Sequence, residues 1–329
     1  MNASPILARV DPGLRAVLGA MQPLTFEAAA PHLDLPGHVR AGSAVRRWGE
    51  RLVVAQDDVN ALALLDEASG RVEGLVLPLG RDGRRSFGDA TGNKALKMDL
   101  EACVTLPDGR LLALGSGSKE ARERVVIVTP SHEARVVDGH ALYAALRDRT
   151  DFAGSELNVE GAVVVEGALR LFQRGNGAPR GGLFPVDATG DLELAAFLRW
   201  LDGGPVPALA RIRQYDLGEV EGVRCGFTDA TALPDGRVAF VAGAEDSPDT
   251  YRDGAVLGCR FGILDGGGAR VTDIVDADGS RSRWKLEGLD FRRSTEDGWE
   301  LVVVADMDDT EVPARMGTLT VRDAGGSLH

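Results

Sequence analysis

The feature that most restricts what this chain can fold into is a pattern written more than once. The stretch DLEACVTLPDGRLLALGSGS, residues 99–118, returns as FTDATALPDGRVAFVAGAED, residues 227–246. The order of parts is the same: an acidic step, an apolar strand, a tight turn, a second apolar strand and a polar burst. Both turns read Leu-Pro-Asp-Gly, at 106–109 and 233–236. Proline presets φ for a tight turn, and glycine takes the positive φ that follows.

Three more segments follow the plan. NVEGAVVVEGALRLFQRGNG opens on Asn158 and Glu160, turns at Glu166-Gly167 and ends on Arg174 and Asn176. KLEGLDFRRSTEDGWELVVVADMDD opens on Lys285 and Glu287 and ends on Asp306, Asp308 and Asp309. SAVRRWGERLVVAQDDVN lacks the leading acid but ends on Asp57, Asp58 and Asn60. The bursts begin near residues 57, 116, 174, 245 and 306, about sixty residues apart. Weaker apolar runs follow each second strand, so each unit makes four antiparallel strands.

Four-stranded units repeated along a chain define an all-β fold, the β-propeller. The spacing predicts five blades, at about 38–96, 97–156, 157–226, 227–283 and 284–325, with a sixth only if a degenerate one lies within 187–221. The last unit shows three strands. An N-terminal segment, 1–36, carries SPILARV, which is expected to supply the missing outer strand and close the ring as a single domain over 1–329. GHALYAALRDRT and DLELAAFLRWL have helical periodicity and read as excursions between strands.

Strand direction then places the polar residues. A residue just before the first strand of a blade and one just after the second lie at the same end. The inner acids Glu101, Glu160, Asp229 and Glu287 and the five bursts are therefore expected to meet around the axis. Asp229 is one residue out of step with Glu101 when both are counted through the identical turns. The candidate ligand-binding set is Asp57, Asp58, Asn60, Lys97, Glu101, Ser116, Ser118, Lys119, Asn158, Glu160, Arg174, Asn176, Asp229, Glu245, Asp246, Lys285 and Glu287. The candidate metal ligands are Glu101, Glu160, Glu287, Asp306, Asp308 and Asp309. Carboxylates crowded at a mouth repel unless cations or protons compensate. Calcium, which takes six to eight oxygens in flexible geometry, is the first candidate cation and magnesium the second. Two loops, SPDTYRDG with Arg252 and TEVPARMG with Arg315, are expected to fold over the same face.

Composition narrows the partners. The net charge of -13, from 50 acids against 37 bases, disfavours phosphate backbones and fits a small polar molecule or a cation. His32, His38, His132, His140 and His329 all lie outside the bursts, which argues against a histidine-based triad or zinc site. Ser116 and Ser118 in GSGSK read as a small-residue loop allowing close backbone approach rather than as nucleophiles. The odd count of three cysteines suggests no disulfide framework. No signal-like start and no continuous apolar stretch of membrane-spanning length is present, so a cytoplasmic location is expected.

MDLEACVTLPDGRLLALGSGS, LNVEGAVVVEGALRLFQRGN, VAGAEDSPDTYRDGAVLG and the KLEG segment resemble an uncharacterised bacterial β-propeller family, a domain of unknown function, over residues 39–321. The resemblance implies the fold and no activity. More distantly, the Glu-Gly step is similar to that of phytase-like and esterase-like propellers. That similarity implies that Glu160-Gly161 and Glu287-Gly288 face the channel around calcium. Two units depart from it, with Glu101-Ala102 and Asp229-Ala230. The functional expectation is a propeller that binds a small polar ligand or divalent cation at one mouth, with metal-assisted hydrolysis as the candidate chemistry and no residue assigned a catalytic role. The alternative is a protein-interaction scaffold, which needs a broad face with aromatic anchors.

Overall fold

The computed structural model describes residues 4–28, 30–246 and 254–325. Each repeat is an antiparallel meander. The first is Gly42–Trp48, Arg51–Gln56, Ala61–Leu65 and Val72–Val76, and the second Leu100–Thr105, Leu111–Gly115, Arg124–Val128 and Ala134–Asp138. The third is Val159–Val165, Ala168–Gln173, Asp187–Glu193 and Leu209–Asp216; the fourth is Val223–Ala232, Val238–Asp246, Ala255–Asp265 and Gly268–Asp276. The fifth has Lys285–Thr295, Gly298–Asp306 and Arg315–Asp323. The helical segments fold as His140–Arg147 and Leu194–Leu201. Residues 187–216 supply the outer strand pair of the third unit, with the second helix between them.

The fifth unit does borrow its outer strand from the chain start, but not from SPILARV. Leu14–Leu18 pairs antiparallel with Arg315–Asp323 and also runs parallel beside Gly268–Asp276, joining the fourth and fifth sheets. SPILARV instead adds Ile6–Leu7 to the rim of the third unit and Arg9–Val10 beside the fourth. Patterning explains the choice. LRAVL alternates, burying Leu14, Ala16 and Leu18 on one face, whereas Leu7 and Val10 remain exposed.

The first strands of the five units neighbour one another in cyclic order, Gly42–Trp48 beside Leu100–Thr105 and so on to Lys285–Thr295, which returns to Gly42–Trp48. Each carries a one-residue register shift against its partner, near the start of the strand in four units and midway along Val223–Ala232 in the fourth. The extra residues are Ser43, Glu101, Glu160, Thr228 and Glu287. A bulge bends the strand and re-aims a side chain. In the second, third and fifth units that side chain is a glutamate. In the other two it is a hydroxyl that donates to the neighbouring first strand: Ser43 to the Leu100 carbonyl, Thr228 to that of Leu286 at 2.7 Å.

The glycine of the Glu-Gly step has a steric cause. A Cβ on Gly288 would sit 2.4 Å from Val304 Cγ1 and 2.8 Å from the Val45 nitrogen, so the adjacent strand could not approach as it does. Gly288→Ala should therefore destabilise the protein by about 1–3 kcal/mol. Gly37→Ala, where nothing lies within 4 Å, serves as the control. Equal urea midpoints for the two variants would refute the packing argument.

Below the bulges the axis is filled. The Arg46 guanidinium, 5 % exposed, forms a two-pronged ion pair with Asp229 at 2.8 and 3.0 Å. It also donates to the carbonyls of Val45, Ala162, Ala230 and Leu289, which lie on four different first strands. Asp229 in turn accepts from the backbone N–H groups of Ala230 and Leu289. Burial pushes its carboxyl up to about 7, against the pull of Arg46.

Candidate acidic cup

Above the Arg46–Asp229 pair the first strands open into a cup of about 170 Å³. Of the candidate residues, Asp57, Asp58, Lys97, Glu101, Asn158, Glu160, Arg174, Asn176, Glu245, Lys285 and Glu287 line it, as do Asp306, Asp308 and Asp309. They arrive from all five units because the glutamate bulges of the second, third and fifth units and the second-strand ends of the first, third, fourth and fifth lie at the same end. The described lining holds eleven carboxyl groups against five basic side chains.

Three nests of opposite charge organise the cup. The Lys97 ammonium lies 2.5 Å from Asp57 and 2.7 Å from Asp99. Arg122 and the Ser116 hydroxyl donate to the other Asp99 oxygen, at 2.8 and 2.5 Å. Arg174 faces Glu245 at 2.7 Å, Glu160 at 3.5 Å and Glu287 at 3.8 Å. Lys285 lies 2.5 Å from Asp308, 3.6 Å from Asp306 and 3.7 Å from Glu287. Asp58 pairs with Arg40, while Asn158 donates to Glu160 at 2.6 Å. Glu101, by contrast, has no hydrogen-bond or ion-pair partner among the described residues, although it is only 9 % exposed. The Asp57 Oδ1 and Asp58 Oδ1 atoms are likewise buried without a partner. Carboxylate oxygens of Asp57, Asp99 and Glu101 all lie within 4.8 Å of one another.

Burial and crowding shift the titrations. Burial raises Glu101 and Glu287 well above the usual carboxylate range, Lys285 opposing the shift in Glu287. Burial likewise lifts Asp58 and Glu160 to about 7, opposed by Arg40 and Arg174 respectively. Asp99 goes the other way: although burial disfavours its charge, Lys97 and Arg122 hold it below its ordinary value. The raised groups hold protons in the folded state that the unfolded chain releases near pH ~4. Metal-free protein should therefore be more stable at pH 5.5 than at pH 8, because stability is lost as pH rises from the unfolded values through about 7. Urea midpoints in EDTA at the two pH values test the sign.

Other candidates lie elsewhere. Asp229, whose acid was expected at the mouth, is turned toward Arg46; counted through the turns, Thr228 is the residue in step with Glu101. Asn60 is buried and donates to the Pro78 carbonyl. Ser116 is fully buried against Asp99, and Ser118 bonds Arg122, so both act behind the lining. Gly117 between them has φ +72°, and a Cβ there would meet the Tyr143 ring at 2.3 Å, as a close-approach loop requires. Lys119 is exposed and faces Glu156 at 3.7 Å, outside the cup. Asp246 is the exposed end of its strand. Arg252 lies outside the described residues; Arg315 donates to the Met21 carbonyl and lies over the Trp284 ring. Sequence reasoning missed Asp99, Arg122 and Lys94, and the loop residues Phe87, Gly88 and Asp89 on the rim. Asp99 sits at φ +55°, a backbone state that aspartate tolerates better than most residues and that the acidic step alone does not reveal.

An all-β fold of four-stranded antiparallel sheets with an acidic cup at one end defines a propeller-like protein. The chain belongs to the family of unknown function DUF6929, whose model matches residues 38–321. No curated protein matches it. Among solved structures it is similar to an α-L-arabinanase of Penicillium chrysogenum, at 10% identity and TM-score 0.49, covering 94% of this chain and 100% of that one. It is also similar to a gluconolactonase of Xanthomonas campestris, at 13% identity and TM-score 0.45, with 95% and 99% covered. The calcium-binding protein regucalcin of Agrobacterium tumefaciens matches at 11% identity and TM-score 0.44, with 88% and 92% covered. Among the described residues, no helix is long and apolar enough to cross a membrane.

Proposed function

We propose that the five units are the blades of one closed propeller domain and that its acidic cup binds a divalent cation, calcium ahead of magnesium, as the seat for a small polar ligand. The observation that carries this is that Glu101, with no hydrogen-bond or ion-pair partner among the described residues, shares one carboxylate cluster with Asp99 and with Asp57, whose Oδ1 is orphaned. Buried carboxylate oxygens without partners are costly, and a hard cation satisfies several at once. Of the sequence-derived metal set, Glu101 belongs to this cluster. Glu160 and Glu287 face Arg174, Asp306 and Asp308 face Lys285, and Asp309 accepts from the Glu311 N–H.

The charge excess favours a cationic or polyhydroxylated ligand over a phosphate ester, since Arg174 already faces three carboxylates. Phe87 is the only aromatic side chain in the described lining, which supports a small ligand over a protein segment. A cation here would polarise a ligand oxygen and acidify a bound water, the basis for metal-assisted hydrolysis as the activity class. Glu160, raised to about 7, is able to give or take a proton near neutral pH.

Calorimetric titration of EDTA-stripped protein tests the reading. One calcium site, with weaker magnesium binding, is expected; no heat from either ion would overturn it. Hydrolysis is then read as acid released from a panel of esters and lactones, with calcium against EDTA.

A further inference from the structure

We infer that Lys97 is a tethered stand-in for the cation, occupying two of the three cluster carboxylates when the site is empty and swinging out when a divalent ion enters. The inference rests on the cation reading above and adds what sets the affinity of that site. Lys97 stands just after the short turn Lys94–Leu96, two residues before Asp99, and its side chain is only 7% exposed. Its ammonium touches Asp57 Oδ2 and Asp99 Oδ1, while Asp57 Oδ1 and Glu101 are left over. An ammonium and a divalent ion are like charges competing for the same oxygens, so the protein cannot keep both in close contact with Asp57 and Asp99.

The neighbouring basic group is differently held. Arg122 is tied to Asp99 Oδ2 and to the Ser118 hydroxyl at 2.9 Å, so it braces the aspartate from behind without covering Oδ1. Lys97 ends in a single charged nitrogen on a flexible four-carbon stem, the kind of group that moves aside at modest cost. In the empty site it neutralises carboxylates that would otherwise repel one another. In the filled site that task passes to the ion.

The test is calcium titration of EDTA-stripped wild type and Lys97→Met, with thermal unfolding of both. Removing the ammonium should lower the melting temperature of the stripped protein, because Asp57 and Asp99 lose their counter-charge. It should raise calcium affinity on the order of 10- to 100-fold, the range over which groups contacting metal ligands act. The calcium-induced rise in melting temperature should therefore be larger in the variant. Equal or weaker calcium binding by Lys97→Met, with wild type still binding, overturns the competitor role. No binding by either protein overturns the cation reading and this inference with it. Should the variant not fold, reductive methylation of wild type with peptide mapping decides. Calcium should increase labelling of Lys97 several-fold, and unchanged labelling with calcium bound refutes the displacement.

Discussion

Metal-stripped protein should melt about 4 °C higher once calcium reaches a hundred times its dissociation constant. A ligand that binds only the native state adds about 2.7 kcal/mol at that concentration. With an unfolding entropy of about 2.1 cal/mol/K per residue, that is a shift of a few degrees for a chain of this length. Glu101→Gln should abolish the shift, because it removes the one lining carboxylate without a hydrogen-bond or ion-pair partner among the described residues. The same change should leave the stripped protein as stable as wild type or more so, since burial already disfavours the charged form of Glu101 and its replacement orphans no hydrogen-bond partner. Asp309→Asn, at the rim, should keep the calcium response. A Glu101→Gln protein that responds like wild type would place the ion elsewhere.

Breaking the axial ion pair should have the largest effect on stability. Asp229→Ala leaves the Arg46 guanidinium buried at the centre of the fold without its counter-charge, and removing one member of such a pair costs about 3–5 kcal/mol. The loss should be larger than for a surface pair such as Arg293–Glu300, whose arginine side chain is 67% exposed. Arg46→Met combined with Asp229→Leu should recover part of the loss, although the carbonyls of Ala162, Ala230 and Leu289 then lose a donor. Urea unfolding of the single and double variants gives the coupling. Purely additive losses would mean that the two side chains do not act as a unit.

Much of this was legible in the repeat. Alternating apolar runs and Leu-Pro-Asp-Gly turns mark the strand pairs, and direction alone brings Glu101, Glu160, Glu287 and most of the bursts into one cup. What the residues do not announce is the bulge. In the fourth unit the bulged position is Thr228, so the eye-catching Asp229 rotates to the opposite side and meets Arg46, a residue that reads as an ordinary strand arginine. Asp99 was overshadowed by Glu101 because its role depends on a left-handed backbone step rather than on strand periodicity. In GSGSK the conspicuous serines and lysine lie behind or outside the cup, while Arg122, three residues beyond Lys119, lines it. Charge pattern locates the end of each strand; it does not say which of two adjacent polar residues turns inward.

The pairing of Leu14–Leu18 with Arg315–Asp323 has a consequence for the chain at birth. The first of these strands leaves the ribosome almost three hundred residues ahead of its partner, which at roughly 5–20 residues per second is a wait of about 15–60 s. Throughout that interval an alternating apolar strand has an open edge, the condition that invites pairing with the wrong chain. The seam is thus the last part of the protein able to zip shut, and crowded polysomes are where a failure to zip would be seen.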